Sequence, residues 1–227
     1  MTKLKVIFLA NRKNWWMEGH LLRPFGDDIS TTDEVISAAE LSRYDVGISY
    51  GYRHILKKPQ IDAVKYGIYN CHIAPLPDGR GAMPNVWGII DKWGAGVTIH
   101  KIDEGIDTGS IVAQRRVWVY PTDTGKSLYD RLTTEMLSLL EGEWPRIRLR
   151  VYTGADTYRS QPPTNTPTYK VKDAEWADDL ESRFGDTAWE FVNTLRARTF
   201  PPYKGCFVRD VLGRKVYLKL ELYYAEE

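Results

Sequence analysis

Short apolar runs alternate with segments of helical periodicity from Lys5 to Leu140, and this alternation limits the fold more than any other feature. Lys5–Ala10 is continuously apolar and stops at Asn11-Arg12-Lys13-Asn14, as a strand buried on both faces would on entering a loop. Tyr44–Tyr50, Ile68–Ile73, Gly96–Ile102 and Ser110–Tyr120 read as further strands. Between them lie helical patterns at Asp33–Leu41 and Ile61–Tyr66, and a helix opened by Pro84 that runs through Trp87, Ile90 and Trp93. Thr124–Leu140 then sets Leu128, Leu132, Met136, Leu139 and Leu140 along one helical face. The pattern predicts an α/β fold: a Rossmann-like open sheet of mostly parallel strands with helices on both faces.

After Val151 the pattern changes. Asp156–Pro167, rich in Pro, Thr, Ser and Gln, reads as a linker. Helices follow at Asp173–Leu180 and Thr187–Arg198, then a β-hairpin from Gly205–Asp210 and Lys215–Tyr224, turned at Leu212-Gly213-Arg214. The expected division is a catalytic domain over residues 1–150 and a small C-terminal helix-plus-hairpin extension over 151–227. An extension of that size cannot hold a core alone, so it is expected to pack on the main domain or to form a homodimer.

Thirty-one basic against thirty acidic residues give a net charge of +1, which offers no broad footprint for nucleic acid. Two cysteines provide neither a disulfide framework nor a metal-site spacing. No apolar run approaches the ~18 residues of a membrane span, and Met1–Ala10 lacks a leader's long apolar region, so no membrane partner and a cytoplasmic location are expected.

The chemistry concentrates in Tyr69-Asn70-Cys71-His72-Ile73-Ala74-Pro75-Leu76-Pro77 and in the run from Gly96 to Gly109. On a strand, Asn70 and His72 point to one face. Both sit where the strand leaves the sheet, the place where open α/β sheets bind ligands. Asp107 stands between Gly105 and Gly109, in the loop after the Gly96–Ile102 strand. If those strands are neighbours, an amide, an imidazole and a carboxylate converge. Such a trio suits acyl transfer to an amine. The imidazole takes the amine proton, the carboxylate orients the ring and favours its charged form, and the amide donates to the oxyanion. His100, beside Thr98 on its strand, serves either a structural hydrogen bond near the site or the reaction itself. A metal held by His72, His100 and Asp107 is not expected, since no ligand pair sits on one helix. Arg12 and Lys13 could hold a diphosphate and Trp15 a nucleotide base, or serve as plain surface.

The pattern Asn70-x-His72, Leu76-Pro77, Arg80-Gly81, Gly96-Val97-Thr98-Ile99-His100 and Asp107-Thr108-Gly109 resembles the folate-dependent formyltransferase family over residues 1–140. The resemblance implies that Asn70, His72 and Asp107 are catalytic, and that N10-formyltetrahydrofolate is the formyl donor. It further implies that His54, Ile55 and Leu56, mainly through their backbone, and Asp103 and Glu104 flank the pterin. Within the family, Arg80 to Asp91 and the tail with Pro201-Pro202-Tyr203-Lys204-Gly205 are most similar to the sugar-nucleotide N-formyltransferases. Arg80 and Asn85 are the matching substrate contacts. The implied substrates are small molecules, the folate donor and an amino-deoxysugar nucleotide for surface polysaccharide. Two alternatives stay open: a formyltransferase for another amine (methionyl-tRNA or a nucleotide precursor), and an inactive folate- or nucleotide-binding protein.

Overall fold

The computed structural model describes residues 3–21, 25–154, 158–183 and 185–225. Six strands form one sheet in the order β2-β1-β3-β4-β5-β6. They are β1 (Lys5–Ala10), β2 (Asp28–Thr32), β3 (Val46–Tyr50), β4 (Ile68–His72), β5 (Ala95–Lys101) and β6 (Ile111–Val117). The first four pair in parallel, whereas β5 runs antiparallel to both β4 and β6. The sheet is α/β with both faces covered, as the alternation predicts.

Period-two alternation distributes the apolar side chains between two cores. Val6, Phe8, Ala10, Tyr69, Cys71, Val97 and Ile99 face the long helix α5 (Gly125–Thr153). Ile7, Leu9 and Ile68 face Ile36, Leu41, Leu56 and Val64 on the other side, around α2 (Ala38–Leu41) and α3 (Lys58–Ala63), while a short α1 (Trp16–Leu21) precedes β2. By the same alternation, Asn70, His72, Thr98 and His100 share the face opposite α5.

Helix α5 starts at a capping box between Thr124 and Ser127 and ends at Gly154, whose φ of 68° closes the last turn. It continues well past Leu140 in spite of Pro145. Trp144, Ile147 and Val151 extend the buried face, and their packing outweighs the roughly 3 kcal/mol cost of an interior proline.

Several expectations are corrected. Strand β2 was not legible, because Asp28-Ile29-Ser30-Thr31-Thr32 is a polar edge strand. The helix expected over Asp33–Leu41 shrinks to α2, capped by Ser37. Side chains of the neighbouring segment claim its carbonyls: His54 Nε2 reaches Asp33 (3.1 Å), the Tyr52 hydroxyl Glu34 (2.6 Å) and Gln60 Nε2 Ile36 (2.7 Å). Those bonds replace the intrahelical ones. Helix α4 (Pro84–Ile90) stops before Trp93, where Lys92 takes a φ of 60°. Asp173–Leu180 is a 3₁₀ segment, Val171–Asp178, followed by another at Leu180–Arg183.

The extension packs onto the main sheet's helices. Helix α6 (Ala188–Arg198), opened by a Thr187–Glu190 capping box, lies against α4 and α5. Arg196 Nη1 donates to the carbonyls of Tyr120 (2.9 Å) and Asp123 (3.0 Å), fixing that contact. A small cluster of Leu180, Leu195 and Cys206 supports the hairpin of β7 (Phe207–Arg209) and β8 (Lys215–Tyr217). The hairpin is shorter than Gly205–Tyr224, and its turn leaves Val211 and Leu212 exposed.

Candidate active site

Strand β4 pairs with β5 so that Asn70 lies opposite His100 and His72 opposite Thr98. The β5–β6 loop then brings Asp107 back over the end of β4. Asp107 adopts a φ of 54°, a left-handed conformation that costs a non-glycine residue about 1 kcal/mol or more and must be held by its surroundings. Gly109 permits the turn, since a Cβ there would stand 1.8 Å from the Lys101 carbonyl oxygen.

The three side chains converge. Asn70 Nδ2 donates to Asp107 Oδ1 at 3.3 Å, and His72 Nδ1 stands 3.7 Å from Asp107 Oδ2. The Gly81 amide donates to Asp107 Oδ2 at 2.9 Å. His72 Nε2 is 2.9 Å from the Gly79 carbonyl, which can only accept. Nε2 therefore carries the proton, and Nδ1 keeps a lone pair when the ring is neutral. His100 Nδ1 donates to the Lys101 carbonyl at 3.0 Å. Its Nε2 accepts from Asn70 Nδ2 (3.2 Å) when neutral, and donates toward Asp107 Oδ1 (3.4 Å) when charged. His100 thus joins the trio as a fourth polar group, which the sequence left undecided.

Burial works to raise the Asp107 carboxyl. It is outweighed by the charge of His72, the hydrogen bond and charge of His100 and the Gly81 amide, so the group is held well below its usual range. Asp107 is therefore an anion at neutral pH, placed to stabilise an imidazolium. The adjacent Cys71 is no rival nucleophile, because burial pushes its thiol up to about 12.

These groups border a cavity of about 310 Å³ at the carboxyl ends of β1, β3 and β4, lined also by Asn11, Asn14, Tyr50, Gly51 and Tyr129. Ile73, Pro84 and Tyr129 are common to it and to a larger, mostly apolar cavity of about 630 Å³ between α4, α6 and the hairpin. The larger one carries Phe200, Tyr203, Phe207 and Tyr217 with the cations Arg198, Lys204 and Lys215. Tyr129, Phe200, Phe207 and Lys215 were not singled out from the sequence, and Tyr203 and Lys204 stood there only as part of the tail motif, with no role at the site. Each is an ordinary aromatic or basic residue there, and only packing gathers them.

Of the remaining expected residues, Asn85 lines the larger cavity and the others lie outside the linings of both. Arg12 is exposed and paired with Asp33 (3.1 Å) and Glu34 (3.7 Å). Lys13 stands 5.8 Å from the Tyr129 ring, and Trp15 is half-exposed with its indole N–H on the Ala10 carbonyl. Asn85 is buried and donates to the Gly125 carbonyl at 2.8 Å, pinning α4 to α5 while lining the larger cavity. Arg80 donates from Nε (3.1 Å) and Nη2 (2.6 Å) to Gln161 Oε1. At the turn of His54 to Leu56, the Leu56 side chain is in the core and Ile55 is exposed. Asp103 Oδ1 accepts from the Thr108 hydroxyl (2.6 Å), and Glu104 lies 3.6 Å from Lys58 on a neighbouring cleft. Among the described residues no group of three or more His, Cys, Asp or Glu converges as metal ligands, and no helix is long and apolar enough to cross a membrane.

Comparisons with known proteins identify the family and the fold. The sequence profile of the formyl transferase family matches residues 5–141, and that of the N-formyltransferase dimerization C-terminal domain matches 179–224. The chain is 32% identical to a dTDP-4-amino-4,6-dideoxyglucose formyltransferase of Mycobacterium bovis, over 80% of this chain and 75% of that one. A formyltransferase of Anoxybacillus kamchatkensis, solved with UDP-4,6-dideoxy-4-formamido-L-AltNAc and tetrahydrofolate, is 34% identical with a TM-score of 0.69, covering 85% of this chain and 98% of that one. A 4-N formyltransferase of Francisella tularensis, at 22% identity and a TM-score of 0.81 over 98% and 99% of the two chains, has the same fold.

Proposed function

This chain belongs to the formyl transferase family, and from that premise we propose that it transfers the formyl group of N10-formyltetrahydrofolate to the amine of an amino-deoxysugar nucleotide. The observation that carries the reading is the pairing of a His72 lone pair with an ionised Asp107 at 3.7 Å, beside the Asn70 amide and at a cavity mouth.

The steps follow from those atoms. The substrate amine attacks the formyl carbon and forms the new C–N bond. His72 Nδ1 takes the proton that the amine sheds, and Asp107 stabilises the resulting imidazolium. The Asn70 amide releases one of its two partners to donate to the oxyanion. When the bond to the folate nitrogen breaks, the His72 proton goes to that nitrogen, giving tetrahydrofolate and a formamido sugar. No covalent enzyme intermediate and no metal are needed.

The turn of His54, Ile55 and Leu56 and the loop of Asp103 and Glu104 are assigned to the pterin. The larger cavity is assigned to the nucleotide, with aromatic rings for the base and Lys204 and Lys215 for the diphosphate. Arg12, Lys13, Trp15, Arg80 and Asn85 belong to the substrate side of this arrangement. The hairpin and the segment after it, with Val216, Tyr223 and Tyr224 outward, are assigned to a homodimer contact. We place the reaction in the cytoplasm, in the assembly of surface polysaccharide, because charged folates and sugar nucleotides do not cross a membrane unaided. We keep the division near 150, with Asn70, His72 and Asp107 before it and, after it, an extension assigned both to the nucleotide cavity and to the dimer contact.

The test is a set of amino-sugar nucleotides, including dTDP-4-amino-4,6-dideoxyglucose, incubated with N10-formyltetrahydrofolate and read by mass. A gain of one formyl group on a sugar nucleotide supports the reading. Folate binding with no such product from any amino sugar refutes it.

A further inference from the structure

The segment that composition marks as a linker is built into the catalytic centre. Residues 158–170 run along the site and hydrogen-bond to it at both ends. Arg159 exchanges backbone bonds with Ile111 (2.8 and 3.1 Å). Thr164 and Thr166 donate their hydroxyls to Asp78 Oδ1 at 3.0 and 2.7 Å. The Tyr169 amide donates to the Arg80 carbonyl (3.0 Å) and its carbonyl accepts from Ala82 (2.9 Å), while its ring stacks on Trp87 at 4.3 Å. This strap leaves no room for a side chain at Gly81, where a Cβ would lie 2.1 Å from the Tyr169 carbonyl oxygen. The Gly81 amide is thereby aimed at Asp107.

Gln161 is the part of the strap that meets the catalytic loop. Its Nε2 donates to the backbone carbonyls of Asp107 and Gly109, each at 2.8 Å. Its Oε1 accepts from Arg80 Nε and Nη2. Both amide hydrogens and the amide oxygen are used, so the side chain is fixed in one orientation. The two carbonyls it bridges flank Thr108, and one belongs to the residue held at positive φ. Without the bond from Gln161 to its carbonyl, the Asp107 backbone is freer to relax from its φ of 54° to a commoner conformation. That relaxation would carry the carboxylate away from Nδ1 of His72, and misplacing a catalytic group by about 1 Å can cost roughly 100-fold in rate.

We propose that Gln161 is a positioning residue for the reaction: it clamps the Asp107–Gly109 backbone and so sets the carboxylate between His72 and His100. Its kinetic consequence rests on the formyl-transfer reading above, while its structural consequence does not. Gln161→Ala removes both halves of the clamp. Gln161→Glu keeps an acceptor for Arg80 but has no amide hydrogens for the two carbonyls. Thr166→Val weakens the strap away from Asp107 and serves as control.

In the full-length protein, kcat is expected to fall at least tenfold in both Gln161 variants, with the KM values of both substrates within threefold of wild type. Thr166→Val is expected to stay within threefold in kcat. Independently of activity, histidine side-chain NMR should show the imidazole resonances of His72 and His100 displaced in both Gln161 variants, with those of His54 unmoved. A folded Gln161→Glu protein with kcat within twofold of wild type, or with His72 and His100 resonances unmoved, overturns the proposal. If Gln161→Ala fails to fold, Gln161→Glu decides alone. If the wild-type protein formylates no amine, the NMR comparison still decides the clamp.

Discussion

Replacing Asp107 by Asn separates the electrostatic part of the site from its architecture. The amide is isosteric with the carboxyl. Its oxygen can take the 2.9 Å bond from the Gly81 amide, and its nitrogen can face His100 Nε2, which lies 3.4 Å from the present Oδ1. The bond from Asn70 is then lost, a cost of about 1 kcal/mol. The functional loss is larger. An imidazolium forming on His72 at 3.7 Å from a carboxylate gains roughly 4 kcal/mol at an effective dielectric of about 20. A neutral amide gives up most of that gain, and at about 1.4 kcal/mol per tenfold the expected fall in kcat is roughly 10²–10³. Steady-state formylation, with tetrahydrofolate release followed alongside sugar mass, reads the rate, and thermal unfolding reads the fold. A folded Asp107→Asn protein whose kcat lies within tenfold of wild type would refute the placing of the charge at the centre of the mechanism.

Other outcomes follow from the same geometry. His72→Asn, which removes the Nδ1 lone pair 3.7 Å from Asp107, abolishes turnover while unfolding within a few degrees of wild type; near-normal kcat in that protein contradicts the base assignment. The Asp107 carboxyl titrates lower when folded than unfolded, so its ionised form adds stability that is complete above the ordinary carboxylate value of about 4 and fades as pH falls through the folded one. Acid unfolding of Asp107→Asn should therefore be shallower than that of wild type, and parallel acid limbs count against this. Dialysis against a chelator leaves activity unchanged; loss of activity restored by zinc would show a metal role. Light scattering over a dilution series reports twice the 26.1 kDa chain mass into the micromolar range, whereas a mass near 26.1 kDa throughout removes the dimer.

How much was legible depended on the range of the forces involved. The apolar runs of β1, β3, β4 and β5 and the face of α5 are local periodicities, so the sequence alone specified a two-faced sheet. It also placed Asn70 and His72 on one face, because the alternation of a strand admits no other arrangement. The motif spacing added Asp107, although only the β4–β5 pairing made the three meet. Tertiary structure decided the rest. Asp33–Ser37 has helical composition, yet side chains from Tyr52, His54 and Gln60 took carbonyls of that segment and kept it out of the helix. The helical pattern read from the sequence ended at Leu140, yet the buried face from Trp144 to Val151 carries α5 through Pro145 to Thr153. The stretch from Arg159 to Tyr169 has the composition of a linker because it contributes almost nothing to a core. Its role lies in hydrogen bonds to residues 50 to 90 positions away in the chain, among them Gln161 to Asp107 and Thr166 to Asp78. Polar contacts of that kind leave no period in a sequence, since each depends on where the fold has already brought its partner.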